Sequence, residues 1–355
     1  MRGFPANRHS GDLSTLSIPL GSARRDAWII SRPADLTWFV GPALVSYAAL
    51  LLLMGGFPLT PLYLVWLLGI DGPHVVATVT RTYFDNNARR SLGPLLWVAV
   101  PAMLLGPLMV LAGAETWFYM FAGSWLHFHI AKQHFGFVAL YKHKAGERDR
   151  TDFLLDRGFL LTSLMLPFAR FLVKSNFVYL PSLPLVKTID AALVALYGCF
   201  AVVYLARQLH KWKRGQALNR PKLLLLAAII PLQWLAFRYA GMTVVDGMTR
   251  AGIILGLFHS FQYHRLMWFH NRNHYTEPRF ETTAGLAATL ARRFVYYFGA
   301  AVILNLVFAY LPSHLAPGPL AKAALWGIPF THYILDSKIW RVRGNKELAA
   351  ALRLS

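Results

Sequence analysis

Thirteen histidines and a single cysteine are spread over 355 residues, and most of the histidines fall inside apolar sequence. The stretch from Ser124 to His143 carries His127, His129 and His134 before its basic exit at Lys142. A second stretch runs from His259 to His274 and holds His264 and His270 between them. His74 follows Asp71-Gly72-Pro73, and His332 stands four residues before Asp336. Ionisable or metal-ligating side chains inside a bilayer are costly, so they mark function by default. Imidazole and carboxylate without thiolate suit iron, zinc, copper or manganese. One cysteine, Cys199, excludes an intramolecular disulfide and any multi-cysteine metal site.

The elements that must hold these residues are membrane spans. The chain is 56% hydrophobic, with a mean hydropathy of +0.41, too apolar for a soluble domain of this size. An all-α polytopic membrane protein of about ten transmembrane helices is expected. The spans fall near residues 36–56, 59–80, 92–112, 116–141, 159–180, 186–206, 223–240, 251–269, 294–311 and 320–335. They form one helical domain over 36–341, between a polar tail at 1–35 and a C-terminal tail at 342–355. The first thirty residues lack a continuous apolar core, so no cleaved signal peptide is expected. Asp71-Gly72-Pro73-His74 is expected to break the second span near its middle.

Charge orients the spans. A formal net charge of +20 would suggest nucleic acid in a soluble chain, but here the N-tail, the loops after even-numbered spans and the C-tail hold nearly all of the Lys and Arg. The opposite side holds Arg170, Lys174, Lys187, Arg238, Arg250 and Lys322, while Lys132 lies within the fourth span. This asymmetry places both termini in the cytoplasm of a cell (inner) membrane protein. It accounts for the charge through loop bias and anionic lipid, with no nucleic-acid partner.

With that orientation, depth can be counted. His74 precedes Arg81 by seven residues, His134 precedes Lys142 by eight, and His259 and His332 each precede a basic residue by six. At 1.5 Å per residue these four lie roughly 9–12 Å below the cytoplasmic exit. Four histidines at one depth on four helices running the same way describe a metal layer. Helical phase refines the set. His127 and His134 share a face, and His129 points nearly opposite to His127. His134 is therefore ranked first on this span, His127 is its companion, and His129 is either a ligand or a hydrogen-bond donor to a neighbouring helix. His264 is rotated away from His259, while His270 and His274 form an i, i+4 pair near the membrane surface. Asp71 and Asp336 either ligate directly or orient an imidazole from behind. Gln133, Tyr263 and Tyr333 are placed to orient an oxygen species, and are the candidate catalytic residues. His9, His143, His210 and His314 are read as surface or interfacial, and Trp125, Trp268, Tyr141 and Tyr263 also suit an interfacial aromatic belt.

In its architecture this pattern resembles the histidine-rich integral-membrane iron oxygenases: fatty-acid desaturases, hydroxylases and alkane monooxygenases. The resemblance rests on His127-Phe128-His129, His134, His259, His264, His270, His274 and His332. The desaturase clusters contain adjacent His-His pairs, and this chain has none. The resemblance implies one or two non-haem irons, dioxygen, a lipophilic or membrane-associated substrate, and an electron-donor protein on the cytoplasmic side. Gly72-Pro73-His74 is also similar to a Pro-His-Gly segment of the bacterial carotene-cleaving membrane dioxygenases, without its final glycine. The expected function is thus a membrane-bound non-haem iron, di-iron type, oxygenase, hydroxylase or desaturase. Two alternatives stand beside it. A haem-b electron carrier would use His127 or His134 with His259 as axial ligands. A transporter would use the break at Asp71–His74 as an ion site.

Overall fold

A computed structural model describes residues 27–176, 182–243 and 246–354. Most of the expected polar N-tail, with Arg2, Arg8, His9, Arg24 and Arg25, lies outside the described residues. The described chain is helical, with no strand. We number its helices α1 (Arg32–Met54), α2 (Leu59–Arg81), α3 (Asn86–Leu111), α4 (Glu115–Lys144), α5 (Arg150–Ser175), α6 (Pro184–Lys213) and α7 (Arg220–Ala240). There follow α8 (Gly247–Tyr275), two short helices α9 (Pro278–Glu281) and α10 (Leu286–Leu290), then α11 (Phe294–Leu315), α12 (Pro319–Leu325), α13 (Gly327–Ile339) and α14 (Lys346–Ala351).

Seven of these, α1, α2, α3, α5, α6, α7 and α11, are long and apolar enough to cross a membrane. Helices α4 and α8 have 30 and 29 residues, long enough to span, but their histidines and other polar residues dilute their hydropathy. The expected tenth span is divided at Trp326 into α12 and α13. There, a β-carbon on Gly327 would strike the backbone of Met103 at 2.5 Å, so α13 begins hard against α3.

Helix α8 is the axis of the bundle. It buries residues around its circumference, from Ile253, Ile254 and Phe258 to Gln262, Met267 and His270. Helices α1, α2, α4 and α7 pack on it. At the periphery α6 exposes Leu193, Leu196, Val202, Val203 and Leu205, as a helix facing lipid does.

The expected break at Gly72-Pro73 does not occur. Leu67–Asp71 forms a π-helical turn, and α2 continues through Pro73 to Arg81. Pro73 has no N–H to give, and the widened turn absorbs the mismatch. Other helices supply donors to the disturbed carbonyls. Asn305 Nδ2 donates to the Leu67 carbonyl at 3.0 Å, and His264 Nε2 to the Ile70 carbonyl at 3.0 Å.

Buried ions fasten the basic ends. Asp156 accepts from Lys142 Nζ at 2.6 Å, Lys222 Nζ at 3.0 Å and the Tyr204 hydroxyl at 2.9 Å. Both lysines also bond Glu147, at 3.0 and 3.1 Å. This links the α4–α5 turn to α6 and α7. The C-terminal residues dock as well. Leu348 and Leu352 are buried, and Asn273 Nδ2 donates to the Ala351 carbonyl at 2.8 Å.

Candidate metal centre

Helices α2, α4, α8 and α13 bring His74, His129, His259 and His332 together. One ligand nitrogen from each of His74, His129 and His332 lies within 4.8 Å of the others. His259 adjoins this triad. Its ring centre is 4.6 Å from that of His74 and 5.2 Å from that of His129. His332 stands 4.7 Å from His74 and 4.9 Å from His129 on the same measure. A metal–nitrogen bond is ~2.0–2.1 Å, and a ring nitrogen lies about 1.1 Å from its ring centre, so four imidazoles placed tetrahedrally on one ion have centres roughly 5 Å apart. The observed separations scatter about that value.

The free nitrogens carry more weight than the spacing. Nε2 of His74, His129 and His332, and both nitrogens of His259, are sealed from solvent and have no hydrogen-bond partner among the described residues. Buried polar atoms are rarely left unpaired. Four such imidazoles facing one another are a donor set suited to a cation, with only uncharged ligands in the inner shell.

The opposite edges of two of these rings are held. His332 Nδ1 lies 2.6 Å from the Thr78 hydroxyl, which donates to Asp336 Oδ1 at 3.0 Å. With its one proton spent on Asp336, Thr78 accepts from His332 Nδ1–H, so Nε2 keeps its lone pair for a metal. The Tyr263 hydroxyl donates to the same carboxylate oxygen at 3.1 Å. On the other side, Ser260 Oγ donates to Asp71 Oδ1 at 2.7 Å. His74 Nδ1 faces that pair, 3.4 Å from Ser260 Oγ and 3.5 Å from Asp71 Oδ1. Each aspartate thus lies on the Nδ1 side of an imidazole, Asp71 3.5 Å from His74 and Asp336 3.7 Å from His332.

Local sequence explains the convergence. Asp71, His74 and Thr78 are spaced i, i+3, i+7 and share one face of α2 beyond the π turn. A β-carbon at Gly256 would meet Trp66 Nε1 at 2.6 Å and Asp71 Oδ1 at 3.3 Å, so glycine there lets α8 approach α2 closely enough for His259 and Ser260 to reach the centre. Thr78 and Ser260 were not singled out from the sequence. The phase of Thr78 with Asp71 and His74 is the signal that points to it.

The three candidate catalytic residues border the centre. Gln133 Nε2 donates to the His259 carbonyl at 2.9 Å. Tyr333 stacks on His129 at 4.4 Å and 26°. Tyr263 lies 4.6 Å from His74, ring centre to ring centre.

The remaining histidines are placed elsewhere. His127 and His134 do share a face of α4, and that face is turned away from the triad. His127 Nε2 lies 3.0 Å from the Leu164 carbonyl, three residues before Pro167, and 3.0 Å from Gln233 Nε2. His134 Nδ1 bonds the Ile130 carbonyl at 2.9 Å, and its ring lies 5.2 Å from that of Phe258; its Nε2 is also buried without a partner among the described residues, but it is not part of the triad. His264, which holds the π turn, also accepts from the Tyr297 hydroxyl at 3.1 Å. His270 and His274 stack on each other at 5.2 Å, beside Trp340 and Phe280 respectively. No protein-family model, curated protein or solved structure matches this chain.

Proposed function

We propose that this chain is an integral-membrane, metal-dependent oxidoreductase with one non-haem ion, iron first among the candidates, held by His74, His129 and His332 with His259 as the fourth ligand. Its substrate is lipophilic, dioxygen is the oxidant, and the reaction is of the oxygenase, hydroxylase or desaturase class. The observation that carries the proposal is the set of unpartnered, solvent-sealed imidazole nitrogens on four helices. All-imidazole coordination suits iron, copper, zinc or nickel. Of these, iron and copper carry the dioxygen chemistry that the apolar setting favours. A single focus of histidines favours one ion over a pair, because His127, His264 and His270 are each engaged with other partners, and His134, whose Nε2 is also unpartnered, stands apart from the triad beside Phe258.

Within that proposal the chain's own residues have definite tasks. Thr78 and Asp336 fix the tautomer of His332, and Asp71 with Ser260 orients His74. Tyr263 anchors Asp336, and Gln133 ties α4 to the backbone at His259. Both termini are assigned to the cytoplasm from the basic loops, where an electron-donor protein would dock. Haem b fits less well. Of its expected axial ligands, His127 is engaged by the Leu164 carbonyl and Gln233, and His134 by the Ile130 carbonyl. The rings that do converge on His259 meet edge to face at 4.6–5.2 Å, whereas two axial imidazoles on one haem stand about 6 Å apart. The transporter alternative loses the helix break that motivated it.

Elemental analysis and an optical spectrum of the purified protein test the proposal. One equivalent of iron is expected, lost in His129→Ala and in His332→Ala and retained in His127→Ala. A Soret band, or wild-type protein that takes up no metal from an iron-replete preparation, refutes it.

A further inference from the structure

Lys132 lies within the fourth span, on α4, away from the basic loops. It is exposed on α4, and among the described residues it has no carboxylate within ion-pair distance and no hydrogen-bond partner. It stands seventeen residues from Glu115 and ten from the basic exit at Lys142. At 1.5 Å per residue these are roughly 25 and 15 Å along an upright helix, more than a lysine side chain can snorkel. A bare ammonium at that depth is expensive unless an anion meets it.

Its neighbours indicate what that anion belongs to. On a helical projection Lys132 falls between Phe128 and His129, and it follows His129 by three residues, so the two side chains rise from adjacent positions about 5–6 Å apart at Cβ. Phe128 and Phe121 are exposed at 45% and 44% on the same stripe. One turn beyond Lys132, a β-carbon on Gly136 would meet nothing within 4 Å. His129 itself is the partly exposed member of the ligand triad, while His74 and His332 are buried. His129 thus shows part of its ring on this stripe while its Nε2 stays sealed inside, with a cation one turn away and an aromatic wall beside it.

We infer that Lys132 binds the carboxylate of a long-chain lipophilic acid and so sets the substrate class of the proposed centre. This rests on the metalloenzyme proposal for the word substrate, but binding of the acid does not depend on the metal. The test uses the full chain in phosphatidylcholine nanodiscs and radiolabelled oleate. Saturable binding is expected, weakened at least tenfold in Lys132→Gln and restored to within threefold in Lys132→Arg. Oleate methyl ester should bind wild type and Lys132→Gln equally, which also shows that the variant is folded. The same difference should persist in the His332→Ala background, and iron is assayed in each sample. Metal-free wild type with Lys132-dependent oleate binding would remove the metalloenzyme proposal alone. Equal oleate binding by wild type and Lys132→Gln, or displacement of oleate by phosphatidylglycerol at concentrations below those of unlabelled oleate, would overturn this inference.

Discussion

The hydroxyl of Thr78 offers the sharpest test of the proposed centre, because it stands outside the four imidazoles and yet holds one of them. Thr78→Val keeps the shape and removes one oxygen. In the wild type that oxygen takes the proton of His332 Nδ1 at 2.6 Å and passes its own to Asp336 at 3.0 Å. Without it, His332 is no longer held as the Nδ1–H tautomer, and Asp336 keeps only the Tyr263 hydroxyl at 3.1 Å. Losing an outer-shell partner of this kind typically weakens metal binding 10–100-fold, or about 1.4–2.7 kcal/mol. Cobalt(II) serves as a visible stand-in: its ligand-field absorption is titrated into metal-stripped protein to read the dissociation constant. Thr78→Ser keeps the oxygen and should bind within about threefold of wild type, a difference well under 1.4 kcal/mol. Cobalt affinity unchanged in Thr78→Val, or lost equally in Thr78→Ser, would refute the relay.

Other consequences can be measured directly. In Gly72→Ala the added methyl collides with the Leu67 carbonyl and the Asn305 amide, so unfolding in detergent should come earlier by the roughly 1–3 kcal/mol typical of overpacking. Asp156→Asn leaves two buried ammonium groups with only Glu147, and breaking a buried pair typically costs about 3–5 kcal/mol; a large fall in melting temperature is expected, together with faster proteolysis of the α4–α5 turn. Burial would push the Glu147 carboxyl up, but Lys222 and Lys142 outweigh it and hold the group below the usual carboxylate range. A depressed carboxyl stabilises above its unfolded pKa, ~4.3, and loses that contribution as pH falls through the folded value. The difference in melting temperature between wild type and Glu147→Gln should therefore be largest near neutral pH and shrink below about pH 4.

Much of the scaffold could be read from composition and spacing. Ends and turns marked by Gly55-Gly56 with Phe57-Pro58, or by Gly113, lie where glycine takes a positive φ, +87° at Gly56 and +72° at Gly113. Of the four histidines counted to one depth, His74, His259 and His332 do meet. On α4 the structure brings His129 to them and not His134. Helical phase separated those two faces, but counting from Lys142 to the membrane surface assumes an upright helix, and neither tilt nor rotation is legible in a lone helix. Those depend on what α4 packs against, and its His127/His134 face goes to α5, α7 and α8 through Leu164, Gln233 and Phe258. Pro73 announced a helix break for a sound local reason. The π turn absorbs it, braced at Leu67 and Ile70 by the side chains of Asn305 and His264, more than 190 residues away in sequence, and no local signal reports them. Asp71 and Asp336 were correctly paired with His74 and His332 by spacing, whereas the hydroxyl of Thr78 depends on a neighbouring helix for its meaning.

The π turn in α2 can be viewed as one residue too many. A π turn adds a residue to the α-helical count, and one residue corresponds to a rotation of about 100° about the axis. Leu59–Trp66 and Gly72–Arg81 are therefore one rod with two angular settings. The first segment keeps Tyr63 and Trp66 beside Ile253 and Leu257 of α8; the second aims His74 at the histidines of three other helices and Thr78 at His332. Deleting one residue between Leu67 and Ile70 would give a regular α-helix and leave His74 on its present face. Closing the π turn to α-helix without losing a residue would instead turn His74 about 100° away from the other three histidines, with composition and hydropathy untouched.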